Sequence, residues 1–309
     1  MPSLIITVDT ELSNFPDGQG LWGRSAEGNE LGLSFILDLL ESSDSQATFF
    51  VDVYGNPSDD VAQQRRACEQ IVDLRQDLQL HTHPAPSFDR ARPQLSDYSL
   101  AEQVQILEFG CERIRDWTGR QPAVHRAGDW AANDDSLTAL SNTDFVADFS
   151  ACAWSRFCQL PNELLAGNGR LRHHGILCCP ATCFRDRLRR RLRRLDLHGC
   201  SGCEIGELVA RPIDPLIITL HSFSFFLEYR RGVDLDTLRM RFRRFLETVR
   251  EAGYHVETAS AATQRMRTTP DREDALTPFP VTSVTTSVCS NVRSTWRRFT
   301  REKSRKVPV

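Results

Sequence analysis

The sequence predicts an α/β chain, a closed or nearly closed (β/α) barrel of about seven units with parallel strands. Three observations predict it. Short apolar runs alternate with amphipathic stretches over about 260 residues, the rhythm of repeated βαβ units. Several runs are apolar almost without interruption, as strands covered on both faces must be. No G-x-G-x-x-G follows any of them, so the phosphate turn of a dinucleotide-binding sheet is missing.

Taken in order, the expected strands are LIITVD (4–9), ATFFVDV (47–53), DLQLHTH (77–83), PAVHRA (122–127), DFVADFS (144–150), GILCCP (175–180), PLIITLHS (215–222) and YHVET (254–258). Between them, Val104, Leu107, Cys111 and Ile114 recur at helical spacing. So do Leu235, Leu238, Phe242, Phe245, Leu246 and Val249, with arginines on the opposite face. Asp234 stands where it can cap that second helix, and Gly253 where it should stop. A Gly-rich loop (12–29) and a basic insertion (181–214) are long enough to serve as substrate walls. The barrel is expected to end at residue 262. Residues 263–309, rich in Ser, Thr, Pro and charge, read as a basic, poorly ordered tail.

The 309 residues are 40% hydrophobic and 26% charged, ordinary for a globular chain with a sizeable core. A net charge of −3 argues against nucleic acid as a partner. No run approaches the ~20 apolar residues of a membrane span. The start, MPSLIITVDTEL, lacks the basic and long apolar regions of a secretory signal, so a cytoplasmic protein is expected. The run RDRLRRRLRR (185–194) has two readings: a patch for an anionic polysaccharide or membrane surface, or an amphipathic helix with its leucines inward. The helix is the expected one. Of ten cysteines, Cys200 and Cys203 form a C-x-x-C; Cys178, Cys179 and Cys183 upstream fit the spacing of a zinc knuckle poorly, so reduced thiols are expected. Oligomeric state leaves no mark on the sequence.

Chemistry-bearing side chains fall at strand ends. Asp9 and Glu11 close the first strand, His81 and His83 the third; Arg126 follows the fourth and His221 closes the penultimate one. In a (β/α) barrel these ends converge on one face. Residues two apart on a strand share a side, so each pair can look into the barrel mouth. Two imidazoles and a carboxylate make a three-ligand site with a position left for water, the pattern of catalytic zinc, and a second carboxylate can take the water's proton. Each residue also has a plain structural role open to it: a strand-ending turn for Asp9 and Glu11, a proline-closed turn for His81 and His83, a core histidine for His221, and an ion pair for Arg126.

The segments TVDTE (7–11), ATFFV (47–51), LQLHTHP (78–84), HRAGDW (125–130) and ITLHSFS (218–224) together resemble the polysaccharide deacetylase (NodB-homology, carbohydrate esterase family 4-like) family, in its motif order from residue 4 to about 258. The resemblance implies a distorted (β/α) barrel that removes acyl groups from N- or O-acylated sugars with a divalent metal: zinc, or another such as cobalt or nickel. It assigns Asp9 as the catalytic base, His81 as a metal ligand, Arg126 as the partner of the base and His221 as the general acid. It further implies Asp148 as the carboxylate orienting His221, and Trp130 with Asp129 beside it as the substrate wall. Two places differ from the common pattern. Thr10 stands where the second aspartate would, which moves the carboxylate ligand to Glu11. Position 85 is alanine, which moves the second histidine to His83 in an H-x-H-P variant. A non-catalytic glycan-binding barrel, and a hydrolase of the same fold acting on a non-sugar C–N bond, are the alternatives.

Overall fold

In the computed structural model, which describes residues 1–12, 21–25, 27–55, 59–188, 190–211, 213–267 and 279–288, β1 (Ser3–Thr10) is buried throughout its length. Its apolar side chains leave it no solvent face, so it must sit mid-sheet. It does: β10 (Leu216–His221) pairs along one side of it, while β2 (Thr48–Asp52) and β11 (His255–Glu257) share the other, all parallel. Outward from β2 follow β3 (Asp77–Thr82), β4 (Val124–Ala127), β5 (Ala147–Asp148) and β7 (Ile176–Cys178), again parallel. A single antiparallel strand, β6 (Leu171–His173), forms the edge.

Helices cover the outside: α1 (Leu33–Ser42), α2 (Asp59–Asp73), α3 (Leu100–Thr118), α4 (Asp134–Ser141), α5 (Gly202–Val209), α6 (Ser224–Tyr229) and α7 (Leu235–Glu251), while α8 (Ala259–Arg267) packs on the inner cluster from below. The expected helical faces are the buried ones, Leu107, Cys111 and Ile114 on α3 and Leu238, Phe242, Phe245, Leu246 and Val249 on α7. Ser99 and Glu102 close a capping box on α3, and Asp234 accepts from the Thr237 N–H to cap α7.

Strand alternation sorts the core into two layers. Ile5, Phe50, Val124, Ala147, Phe149, Leu177 and Ile217 form the inner cluster of the barrel, joined by Ala259, Ala262 and Met266 of α8. The alternate residues, among them Leu4, Phe49, Leu80, Cys178 and Ile218, pack outward against the helices. The inner parity continues upward through Thr7 and Asp9 on β1, Gln79 and His81 on β3, Arg126 on β4, and Thr219 and His221 on β10. The polar site therefore stands on the apolar plug.

The barrel is a curled open sheet. Its order β10-β1-β2-β3-β4-β5-β7-β6 has no strand pairing β10 to β7 among the described residues. Irregular chain crosses that gap: Leu195 N–H donates to Thr182 O, Thr219 N–H to Leu195 O, and Ile217 N–H to Thr182 Oγ1. No described helix is long and apolar enough to cross a membrane.

Three expectations meet a different outcome. The basic run is a hairpin, with β8 (Cys183–Arg185) antiparallel to β9 (Leu192–Arg194), and not a helix with inward leucines. Cys183 and Phe184 are both buried while Leu188 at the turn is 49% exposed, so a leucine that a helix would turn inward stands in solvent. The strand expected at 144–150 pairs only at Ala147–Asp148. Finally, α8 runs past the expected boundary at 262, and residues 279–288 pack back on the insertion, Arg185 N–H donating to Pro280 O and Ser283 N–H to the Glu207 carboxylate. Of the expected tail, residues 268–278 and 289–309 lie outside the described residues, as do 13–20 and 26 of the Gly-rich loop.

Met266 is 1% exposed beneath the barrel, so Met266→Ala should cost about 2–5 kcal/mol in denaturant unfolding. Leu188→Ala should cost under about 0.5 kcal/mol, whereas a helix with leucines inward would make it expensive.

Candidate active site

At the mouth of the barrel the polar side chains begin with a buried ion pair. Arg126 Nη1 lies 2.6 Å from Asp9 Oδ1 and 2.9 Å from Thr7 Oγ1, and its Nε donates to Phe149 O. The guanidinium reaches from β4 across the mouth to β1, past two intervening strands. Its flat faces rest on Phe50 and Trp130, with centroids at 4.4 and 4.6 Å. Burial pushes the Asp9 carboxyl up, but Arg126 beside it, helped by His81 and His221, holds it below its ordinary value.

His81 is set by its other ring nitrogen. Its Nδ1 lies 2.9 Å from the Arg126 carbonyl, which can only accept, so Nδ1 carries the proton and Nε2 is left as a lone pair. That Nε2 is 3.7 Å from Glu11 Oε2, and His83 Nε2 is 2.6 Å from the same oxygen. The ligand atoms of Glu11, His81 and His83 all lie within 4.8 Å of one another. Burial again raises Glu11, and the two imidazoles beside its carboxylate carry it well below the ordinary carboxylate range. Burial lowers His83, but Glu11 raises it to about 9.

These residues fit a divalent cation. His83 Nε2 is buried and close to Glu11, yet the pair lacks the alignment of a hydrogen bond. Separations of 2.6 and 3.7 Å bracket the roughly 3.3 Å edge of a zinc tetrahedron with ligands about 2.0 Å from the metal. The two-residue histidine spacing works because of Gly128, which follows β4. A Cβ there would overlap the His83 ring. Glycine thus makes the room His83 needs, just beyond the end of β3.

His221 completes the group. It stands in register with Asp9 across the β1–β10 pair, its Nε2 4.0 Å from Asp9 Oδ2 and 3.8 Å from Glu11 Oε1, and its ring is half-open to solvent. Asp148 does not orient it. Asp148 accepts from the Ser150 N–H and hydroxyl and lies 2.9 Å from His125 Nδ1, fully buried in the outer layer. Parity is the reason: Ala147 and Phe149 point into the barrel, so Asp148 between them points out. Trp130 lies at the wall over Arg126, while Asp129 is exposed; both adopt left-handed backbone, at φ 64° and 53°.

Two further residues belong here. Asp52 ends β2 opposite His81, and burial raises its carboxyl above the ordinary value despite the two nearby imidazoles. The strand-end reasoning that singled out Asp9 and His81 applies to it equally. Arg194 of β9 sits between Trp130 and Trp154, at 5.3 and 5.2 Å, close enough to Asp9 for their charges to act on one another. No sequence signal separates Arg194 from its basic neighbours; the hairpin selects it.

No protein-family model matches the sequence, and no curated protein matches it. Solved structures do match. A candidate polysaccharide deacetylase from Mycobacterium smegmatis superimposes with a TM-score of 0.53 at 16% identity, over 82% of this chain and 81% of that one. The chain has the polysaccharide-deacetylase fold. Two more distant likenesses are the Bc1960 peptidoglycan N-acetylglucosamine deacetylase (TM-score 0.49, 14% identity, 87% and 90% covered) and a mutant of BA3943, a CE4 family pseudoenzyme with restored enzymatic activity (0.48, 16%, 85% and 68%).

Gly128→Ala should push the His83 ring aside and weaken zinc binding by about 10–100-fold, the range for losing ligand support. Equilibrium dialysis beside wild type measures it, and unchanged affinity would remove His83 from the ligand set.

Proposed function

We propose that the chain is a metal-dependent hydrolase that removes acetyl or related acyl groups from N-acylated sugars or polysaccharide. One observation carries the reading: Asp9, held ionised by a buried arginine, stands about 4 Å from His221, beside a Glu-His-His group that fits a divalent cation. A proton acceptor, a proton donor and a ligand set share one barrel mouth, and a structural ion pair alone needs neither the imidazole cluster nor His221.

Glu11, His81 and His83 would hold the cation, with zinc, cobalt or nickel the candidates. When bound, it polarises the acyl carbonyl and acidifies water. The protein's own groups do the rest. Asp9 uses Oδ1 on Arg126, which leaves Oδ2 on the His221 side to take the proton of the attacking water. The water oxygen joins the acyl carbon, the C–N bond breaks, and His221 gives its proton to the departing amine. Trp130 walls the mouth and keeps Arg126 dry. We place the protein in the cytoplasm, with carbohydrate as its partner.

Asp9→Asn and His221→Gln should each lower the turnover of an N-acetylated hexosamine oligomer by about 10²–10⁴-fold with zinc content unchanged. Acetate release from zinc-loaded protein is the measurement. Full activity in Asp9→Asn would defeat the mechanism, and sugar binding without acetate release in wild type would make the barrel a binding module.

A further inference from the structure

Away from the barrel mouth, a second group of ligand-type side chains converges. β6 ends on His173, the turn into β7 opens with His174, and α4 begins with Asp134. Adjacent residues of an extended strand point to opposite faces. Here His174 and Gly175 adopt left-handed backbone, φ 50° and 81°, and both imidazoles turn to one side with ring centroids 4.3 Å apart. Each then meets a different oxygen of the same carboxylate: His173 Nε2 is 2.6 Å from Asp134 Oδ1, and His174 Nε2 is 3.1 Å from Oδ2. All three ligand atoms lie within 4.8 Å of one another.

The geometry points to a second metal site, formed by Asp134, His173 and His174, for a borderline-soft transition dication such as zinc. Two imidazoles and one carboxylate select zinc, nickel or copper over calcium or magnesium, which want oxygen ligands. The separations of 2.6 and 3.1 Å need only a small opening to reach the roughly 3.3 Å edge of a zinc tetrahedron. A plain His–Asp pair accounts for one imidazole on Asp134; it leaves the second, carried there by left-handed backbone, without a purpose. Exposed ion pairs hold little by themselves. A metal on all three would pin the edge strand β6 to α4, the helix that follows the Arg126–Trp130 segment. This site is separate from the barrel mouth and does not depend on the proposed hydrolase reading.

Zinc binding to metal-free full-length protein tests it. Cys203 is the exposed cysteine among the described residues, so the measurement belongs in a Cys203→Ser background. Equilibrium dialysis should find about two zinc ions per chain, and about one after His81→Ala with His83→Ala. Adding His173→Ala and His174→Ala to that variant should abolish the remaining ion. Equal zinc with and without His173 and His174 overturns the site. If the His81/His83 variant does not fold, imidazole NMR of the parent protein decides: saturating zinc should shift the His173 and His174 ring signals, and unmoved signals overturn the proposal.

Discussion

The rest of the barrel mouth depends on the buried pair between Asp9 and Arg126. A guanidinium with no solvent access is costly unless charge and hydrogen bonds surround it. Here Asp9, Thr7 and the Phe149 carbonyl supply three contacts, and two aromatic faces cover the plane. Because Arg126 sits on β4 and Asp9 on β1, the pair forms only if the sheet curls enough to bring non-neighbouring strands face to face. The same residue then fixes a histidine: the Arg126 backbone carbonyl accepts a hydrogen bond from His81 Nδ1–H, which turns the ring's Nε2 toward Glu11. One residue serves as counter-ion to Asp9 through its side chain and orients His81 through its backbone.

The sequence made the inner parity legible and left its consequences easy to miss. Asp9, Glu11, His81 and His221 end apolar runs, and a period of two is enough to place them on the inner side. Followed one strand further, that rule also excludes Asp148 from the site, since Ala147 and Phe149 already occupy the inward positions. It likewise admits Asp52, which continues from Phe50. Local pattern could not show the role of Gly128, because the ring it accommodates belongs to another strand.

The basic insertion misleads for a different reason. Leucines at 188, 192 and 195 suit a helical stripe, yet only Leu195 is fully buried, and it lies where the chain crosses the open side of the barrel. Tertiary demand outweighs periodicity there: Thr182 and Leu195 supply the backbone bonds that the edge of β10 would otherwise lack. The hairpin between them is consequently fixed at both feet, and Arg194 at its base is delivered to Trp130. Trp154, 52% exposed on the other side of Arg194, extends this stacked wall toward solvent.

For the proposed reaction, the loss of Asp148 as an orienting group changes how acid and base would work together. With Asp148 committed to His125 and Ser150, the anionic groups near His221 are Asp9 and Glu11. Glu11 is held by two imidazoles, so in the proposed reaction Asp9 is the partner whose charge changes. His221 in turn is one of the charges that keep Asp9 ionised. When Asp9 takes a proton in the proposed reaction, the charge attraction across this pair is lost. The two groups stand directly across about 4 Å from one another, without a third carboxylate behind the histidine among the described residues. In the proposed reaction, taking the proton from water and handing one to the amine are linked by the geometry of a single β1–β10 register, in which Asp9 and His221 stand side by side.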